Sequence, residues 1–121
     1  MEKTIFVVDD STTNLSIIEA ILEEQYRVIT LSSAAKMFTL LEKLMPDLIL
    51  LDIEMPDIDG FEALQQLKSN EMYAGVPVIF ITGMLDAATK NKGLEMGAVD
   101  FIKKPFAADI LQDCVNTYLS S

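Results

Sequence analysis

Three aspartates, a threonine and a lysine stand at the ends of apolar runs along the chain, and their types suit phosphoryl chemistry beside a divalent cation. Asp9-Asp10 follows Thr4-Ile5-Phe6-Val7-Val8, Asp52 follows Leu48-Ile49-Leu50-Leu51, Thr82 follows Ile79-Phe80-Ile81, and Lys104 follows Phe101-Ile102-Lys103. Carboxylates gathered closely repel one another and require a bound cation or a raised pKa. Ligands that offer only oxygen suit Mg²⁺, which keeps several waters and completes its shell with phosphate oxygens. A lysine ammonium and a threonine hydroxyl could hold the incoming anion, and Gly83 beside Thr82 would leave its approach open. The set therefore points to a carboxylate that accepts a phosphoryl group beside Mg²⁺. Taken alone, the Asp52 stretch is equally compatible with a side chain that merely opens the turn ahead of Met55-Pro56-Asp57-Ile58-Asp59-Gly60.

For those side chains to meet, the segments carrying them must be parallel strands of one sheet. The aliphatic run Leu48 to Leu51 reads as a strand covered on both faces, because a strand with one wet face would alternate. Further strands are predicted over 4–8, 26–31, 76–81 and 99–103; the stretch 26–31 is the most polar and is placed at the sheet edge. Apolar residues at helical spacing predict helices over 13–24, 34–45, 60–69, 87–96 and 107–118. Ser11 to Thr13, Ser33 and Asp86 supply starts, while Pro46 and Gly97 supply stops. Leu15, Ile18 and Leu22, then Met37, Leu40, Leu41 and Leu44, then Phe61, Leu64 and Leu67 form the inward faces of the first three helices. The fourth is weaker, and Leu94 is its expected core residue. Strands alternating with helices call for an α/β doubly wound parallel sheet with helices on both faces. The polar strand ends then converge at the crevice where such sheets bind ligands.

Composition narrows the function further. The 121 residues fit one domain, 1–121, with half of them apolar. A formal charge of −10 argues against direct binding to nucleic acid or to an anionic membrane. No stretch approaches the length of a membrane span, and the start leads directly into a strand rather than a signal peptide. The lone Cys114 forms no internal disulfide, which suits a reducing, cytoplasmic setting, and its place in a helix favours packing over chemistry. With no histidine in the chain, histidine-based catalysis and histidine zinc sites are excluded.

With these residues in this order, the chain resembles the receiver domains of two-component response regulators, the CheY-like superfamily. Asp9-Asp10, Asp52, Met55-Pro56 with Gly60, Thr82 and Lys104-Pro105 carry the resemblance, which spans essentially all 121 residues. It implies a flavodoxin-like five-stranded sheet of order 2-1-3-4-5 with five helices. It implies Asp52 as phosphoacceptor, and Asp10 with Asp52 as Mg²⁺ ligands, with Asp9 assisting through water and Glu54 through its backbone carbonyl. Thr82 and Lys104 would bind phosphoryl oxygens, and Phe101 falls at the family's switch aromatic. A cis peptide between Lys104 and Pro105 belongs to the same pattern. Ser33-Ala34-Ala35 departs from it by lacking a glycine that many members carry.

The implied role is phosphorylation-dependent signalling. A partner histidine kinase or histidine phosphotransfer protein would supply the phosphoryl group, and an output domain or effector protein would read the result. Phosphorylation is expected to draw Thr82 toward Asp52 and open space that the Phe101 ring enters. The face of the fourth helix, fifth strand and fifth helix would change, where Lys90, Lys92, Asp100, Lys103, Asp109 and Asp113 could contact a partner or a second copy in a homodimer. One rival is a Mg²⁺-dependent phosphatase with an aspartyl nucleophile. Such enzymes place a second aspartate where this chain has Glu54, and turnover of small phosphate esters would identify one. The other rival is a receiver-like binding module that is never phosphorylated, marked by failure to bind Mg²⁺ or accept acetyl phosphate.

Overall fold

A computed structural model describes residues 2–119. Strands and helices alternate throughout: β1 (Thr4–Val8), α1 (Thr12–Leu22), β2 (Arg27–Leu31), α2 (Ala34–Leu41), β3 (Leu48–Asp52), α3 (Gly60–Ser69), β4 (Val78–Thr82), α4 (Ala87–Met96), β5 (Asp100–Lys103) and α5 (Ala108–Leu119). All strand pairs are parallel, as the sequence pattern predicts, and lie in the order β2-β1-β3-β4-β5 that the family resemblance implies. Polar β2 lies at the edge, and β1, β3 and β4 are buried along their whole length.

Alternate residues of each strand feed two separate cores. Ile5, Val7, Leu48, Leu50, Ile79 and Ile81 pack under α1 and α5 with Leu15, Ile18, Leu22, Leu111 and Val115. Phe6, Val8, Ile49, Leu51, Val78 and Phe80 pack on the other face with Met37 and Leu41 of α2 and Leu64 and Leu67 of α3. Among the described residues no helix is long and apolar enough to cross a membrane.

Helix boundaries depart from the sequence expectation where backbone hydrogen bonds tighten. The second helix ends at Leu41 rather than Met45: the Lys43 and Leu44 N–H groups both return to the Leu40 carbonyl at 2.9 Å. Pro46 disfavours helical backbone at the residue before it, so the chain leaves the helix early. The first helix ends at Leu22 rather than Glu24 in the same way, with Gln25 and Tyr26 N–H groups on the Leu22 carbonyl at 3.1 and 3.0 Å.

The largest difference is in α4. Leu94, expected in the core, is 44% exposed, and Gly93 is the buried residue of that helix. The Phe101 ring from β5 fills the space beneath α4, so close that a Cβ at Gly93 would lie 2.4 Å from its Cζ. An aromatic ring from the sheet thus replaces the apolar side chain that the helix lacks. Gly97 ends α4 at φ 110°, the left-handed region in which glycine has no Cβ penalty.

Candidate functional site

The loops above the sheet start four helices with side-chain caps. Ser11, Ser33, Asp59 and Asp86 accept from the backbone N–H groups of Asn14, Lys36, Glu62 and Thr89 at 3.2, 3.2, 2.8 and 2.8 Å. These caps satisfy N–H groups that the helix cannot pair. They also fix each helix start beside a strand end, which holds the site's walls in place.

β1, β3 and β4 deliver Asp9, Asp52 and Thr82 side by side. All three are buried, at 0%, 2% and 1% exposure, whereas Asp10 is exposed. Asp9, Asp10 and Asp52 each place a carboxylate oxygen within 4.8 Å of the others. From the loop after β5, the Lys104 ammonium lies 2.9 Å from Asp9 Oδ2 and 3.2 Å from Asp52 Oδ1. The peptide between Lys104 and Pro105 is cis, as the family resemblance implies. Lys103, one residue earlier, is exposed.

Burial, followed by the neighbouring Asp9 charge, pushes the Asp52 carboxyl up to about 6, against the opposing pull of Lys104. For Lys104, burial favours the neutral amine, yet its contacts with Asp9 and Asp52 outweigh burial and raise its pKa. The lysine therefore stays charged, one cation shared between two carboxylates. Oxygen donors of three aspartates, one of them reachable from solvent, fit Mg²⁺, because a single ammonium cannot balance three carboxylates.

Gly60 closes the loop that follows Asp52. Its N–H donates to the Ile53 carbonyl at 2.7 Å, and a Cβ there would meet the Asp52 carbonyl and Ile53 Cα, both at 2.7 Å. At Gly83, by contrast, an added Cβ would meet no atom within 4 Å, so the openness of this corner does not depend on the glycine.

Several contacts have only faint sequence signals. The Ser11 N–H and Asn14 Nδ2 donate to Asp9 at 2.9 and 3.4 Å and orient it. Asp57 Oδ2 accepts from the Ala35 N–H at 3.1 Å, tying the loop after β3 to the start of α2. The Glu54 carboxylate, not only its backbone, takes part: Oε1 lies 3.3 Å from the Thr82 hydroxyl.

The Phe101 ring lies inside at 9% exposure, 5.6 Å from the Phe80 ring. Two of the charges expected at the surface are engaged within the chain. Lys92 stands over the Phe61 ring at 4.2 Å, and Asp100 Oδ2 accepts from the Tyr118 hydroxyl at 3.1 Å and the Cys114 thiol at 3.6 Å. Burial, then Asp100, pushes the Cys114 thiol up to about 12, which suits packing and not nucleophilic chemistry.

Comparison with known proteins agrees with the fold. The family model described as "Response regulator receiver domain" matches residues 5–116. The Vibrio cholerae protein named "Probable cyclic di-GMP phosphodiesterase" is 36% identical over 118 residues, 98% of this chain and 27% of that protein. "Response regulator PleD" of Caulobacter vibrioides is 38% identical over 106 residues, 87% of this chain and 23% of that protein. This chain thus spans about a quarter of the length of these two curated relatives. Among solved structures, the BeF3-activated receiver domain of DrrB from Thermotoga maritima superposes with a TM-score of 0.90 at 30% identity, covering 100% of both chains. With a flavodoxin-like sheet of the predicted order and a family match across nearly its whole length, the chain belongs to the response regulator receiver domains of phosphorylation-dependent two-component signalling.

Proposed function

We propose that Asp52 is the phosphoacceptor of this receiver. The observation that carries this reading is the Lys104 ammonium held between Asp9 and Asp52, at 2.9 and 3.2 Å, beside a third carboxylate. The phosphoryl donor is a phosphohistidine on a kinase or phosphotransfer protein. An Asp52 oxygen bonds to phosphorus as the bond to the donor nitrogen breaks, and the freed imidazole takes up a proton. Asp10, Asp52 and the Glu54 backbone carbonyl would hold Mg²⁺, with Asp9 assisting through water, and the ion when bound offsets the charge of carboxylate and phosphoryl oxygens. Lys104 turns from Asp52 toward a new phosphoryl oxygen, a short move for an ammonium on a flexible stem. Thr82 donates its hydroxyl to another oxygen. The consequence is read at α4, β5 and α5, by an output domain, an effector or a second copy of the chain, in the cytoplasm.

Intact mass after incubation with Mg²⁺ and acetyl phosphate tests the assignment. One added phosphoryl mass is expected, and it should vanish in Asp52→Asn. Persistence of that mass in the variant would move the acceptor to Asp57 or Asp59, and its absence from the unaltered protein would leave a receiver fold used for binding alone.

A further inference from the structure

The Thr82 hydroxyl carries one proton, and an acceptor for it is already in place. Met84 N–H donates to Thr82 Oγ1 at 3.0 Å, which fixes the oxygen. The hydroxyl proton is then left to choose between Glu54 Oε1 and the Met84 carbonyl, both 3.3 Å from Oγ1. A carboxylate is the stronger acceptor, because its charge adds to the hydrogen bond.

The placement of Glu54 follows from the sheet. Asp52 pairs with Ile81 at the ends of β3 and β4, and the Ile53 N–H extends that pairing to the Ile81 carbonyl at 3.2 Å. Asp52 Oδ1 accepts from the Glu54 N–H at 3.3 Å, so the acceptor carboxylate itself helps to orient the turn. The Glu54 side chain is thereby carried across to Thr82, one strand away. An exposed glutamate is ordinarily just solvated. This one reaches a hydroxyl on a residue buried to 1% exposure.

We infer that Glu54 is a positioning residue that competes with the phosphoryl group for the Thr82 hydroxyl. It rests on the reading of Asp52 as phosphoacceptor and of Thr82 as the donor that follows it. A hydroxyl proton engaged by Glu54 is not available to an oxygen on Asp52, so the receiver switches only when the new anion outbids the carboxylate. Glu54 therefore sets how readily the phosphorylated arrangement forms. This differs from simple charge repulsion, which would act whether or not Thr82 carried a hydroxyl.

Beryllofluoride, which mimics a phosphoryl group on a carboxylate, supplies the test in the presence of Mg²⁺. Its apparent affinity is measured for the unaltered protein, Glu54→Ala, Thr82→Val and the double variant. Glu54→Ala should tighten binding. The gain should be larger by roughly two- to tenfold with Thr82 present than in the Thr82→Val background, the range expected for one hydrogen bond. Thr82→Ser, which keeps the hydroxyl, should restore the larger gain, whereas loss of a merely structural contact would not be rescued in this way. Equal gains in all backgrounds would overturn the competition and leave Glu54 acting through charge alone. Beryllofluoride that binds none of the variants, nor the unaltered protein, would overturn the phosphoacceptor reading itself. Circular dichroism of each variant separates these results from loss of the fold.

Discussion

A buried carboxylate with an opposing ammonium costs the fold something at neutral pH. Asp52 ionises near 4 in an unfolded chain and at about 6 in the folded one, with burial as the main cause. Between those values the folded protein holds more protons than the unfolded chain. Stability therefore falls as pH rises through that window, and the penalty is complete at pH 7. A shift of this size corresponds to roughly 2–3 kcal/mol. Asp52→Asn should consequently stabilise the metal-free protein at pH 7.5, by on the order of 1–3 kcal/mol, and lose most of that advantage near pH 4. Denaturant melts at the two pH values, without Mg²⁺, measure this; an asparagine variant that is less stable at both would show that Lys104 more than balances the burial. Asp9 and Asp52 are legible in the sequence because each stands directly after an apolar run, where a polar residue has no packing role, whereas Lys104, behind the exposed Lys103, is marked out by the resemblance carried by Lys104-Pro105. The Glu54 side chain is not legible in that way, since its reach to Thr82 depends on the register between β3 and β4.

At the scale of elements, α4 is the piece whose sequence says least about its packing. Its expected apolar contact, Leu94, faces out, and the contact that forms is between a glycine and a ring from another strand. Helical spacing in one segment carries no information about a side chain arriving from elsewhere. The other helices are legible because their apolar residues are their own, as at Leu15, Ile18 and Leu22 of α1. Gly93→Ala separates two opposed effects. Alanine in a helix interior is favoured over glycine by about 1 kcal/mol, while forcing a methyl into a filled space costs about 1–3 kcal/mol. With Phe101 Cζ at 2.4 Å and Phe80 Cδ2 at 3.2 Å from the added Cβ, the clash should win. The variant is expected to be destabilised by about 1 kcal/mol, with the Phe101 ring displaced outward in NMR spectra. A more stable protein with an unmoved ring would mean that α4 shifts to make room without cost.

Across the described residues, the sheet divides the apolar interior into two cores, one on each face. Ile5 and Ile81 belong to one, and Ile49 belongs to the other. Each Ile→Val change should cost about 0.5–1.5 kcal/mol. Ile5→Val combined with Ile49→Val should add within about 0.3–0.5 kcal/mol, although their strands are hydrogen-bonded neighbours. Denaturant melts of the single and double variants measure the sum, and a coupling well above that range would show that strain passes through the sheet. Because side chains alternate faces along every strand, residues adjacent in the chain live in different compartments. Leu50 and Leu51 share a peptide bond yet answer to different helices. A substitution under α1 and α5 is therefore expected to leave the compartment that holds Phe101 as it is. Inheritance can edit the two faces of this protein as separate texts written on alternate letters of the same strands.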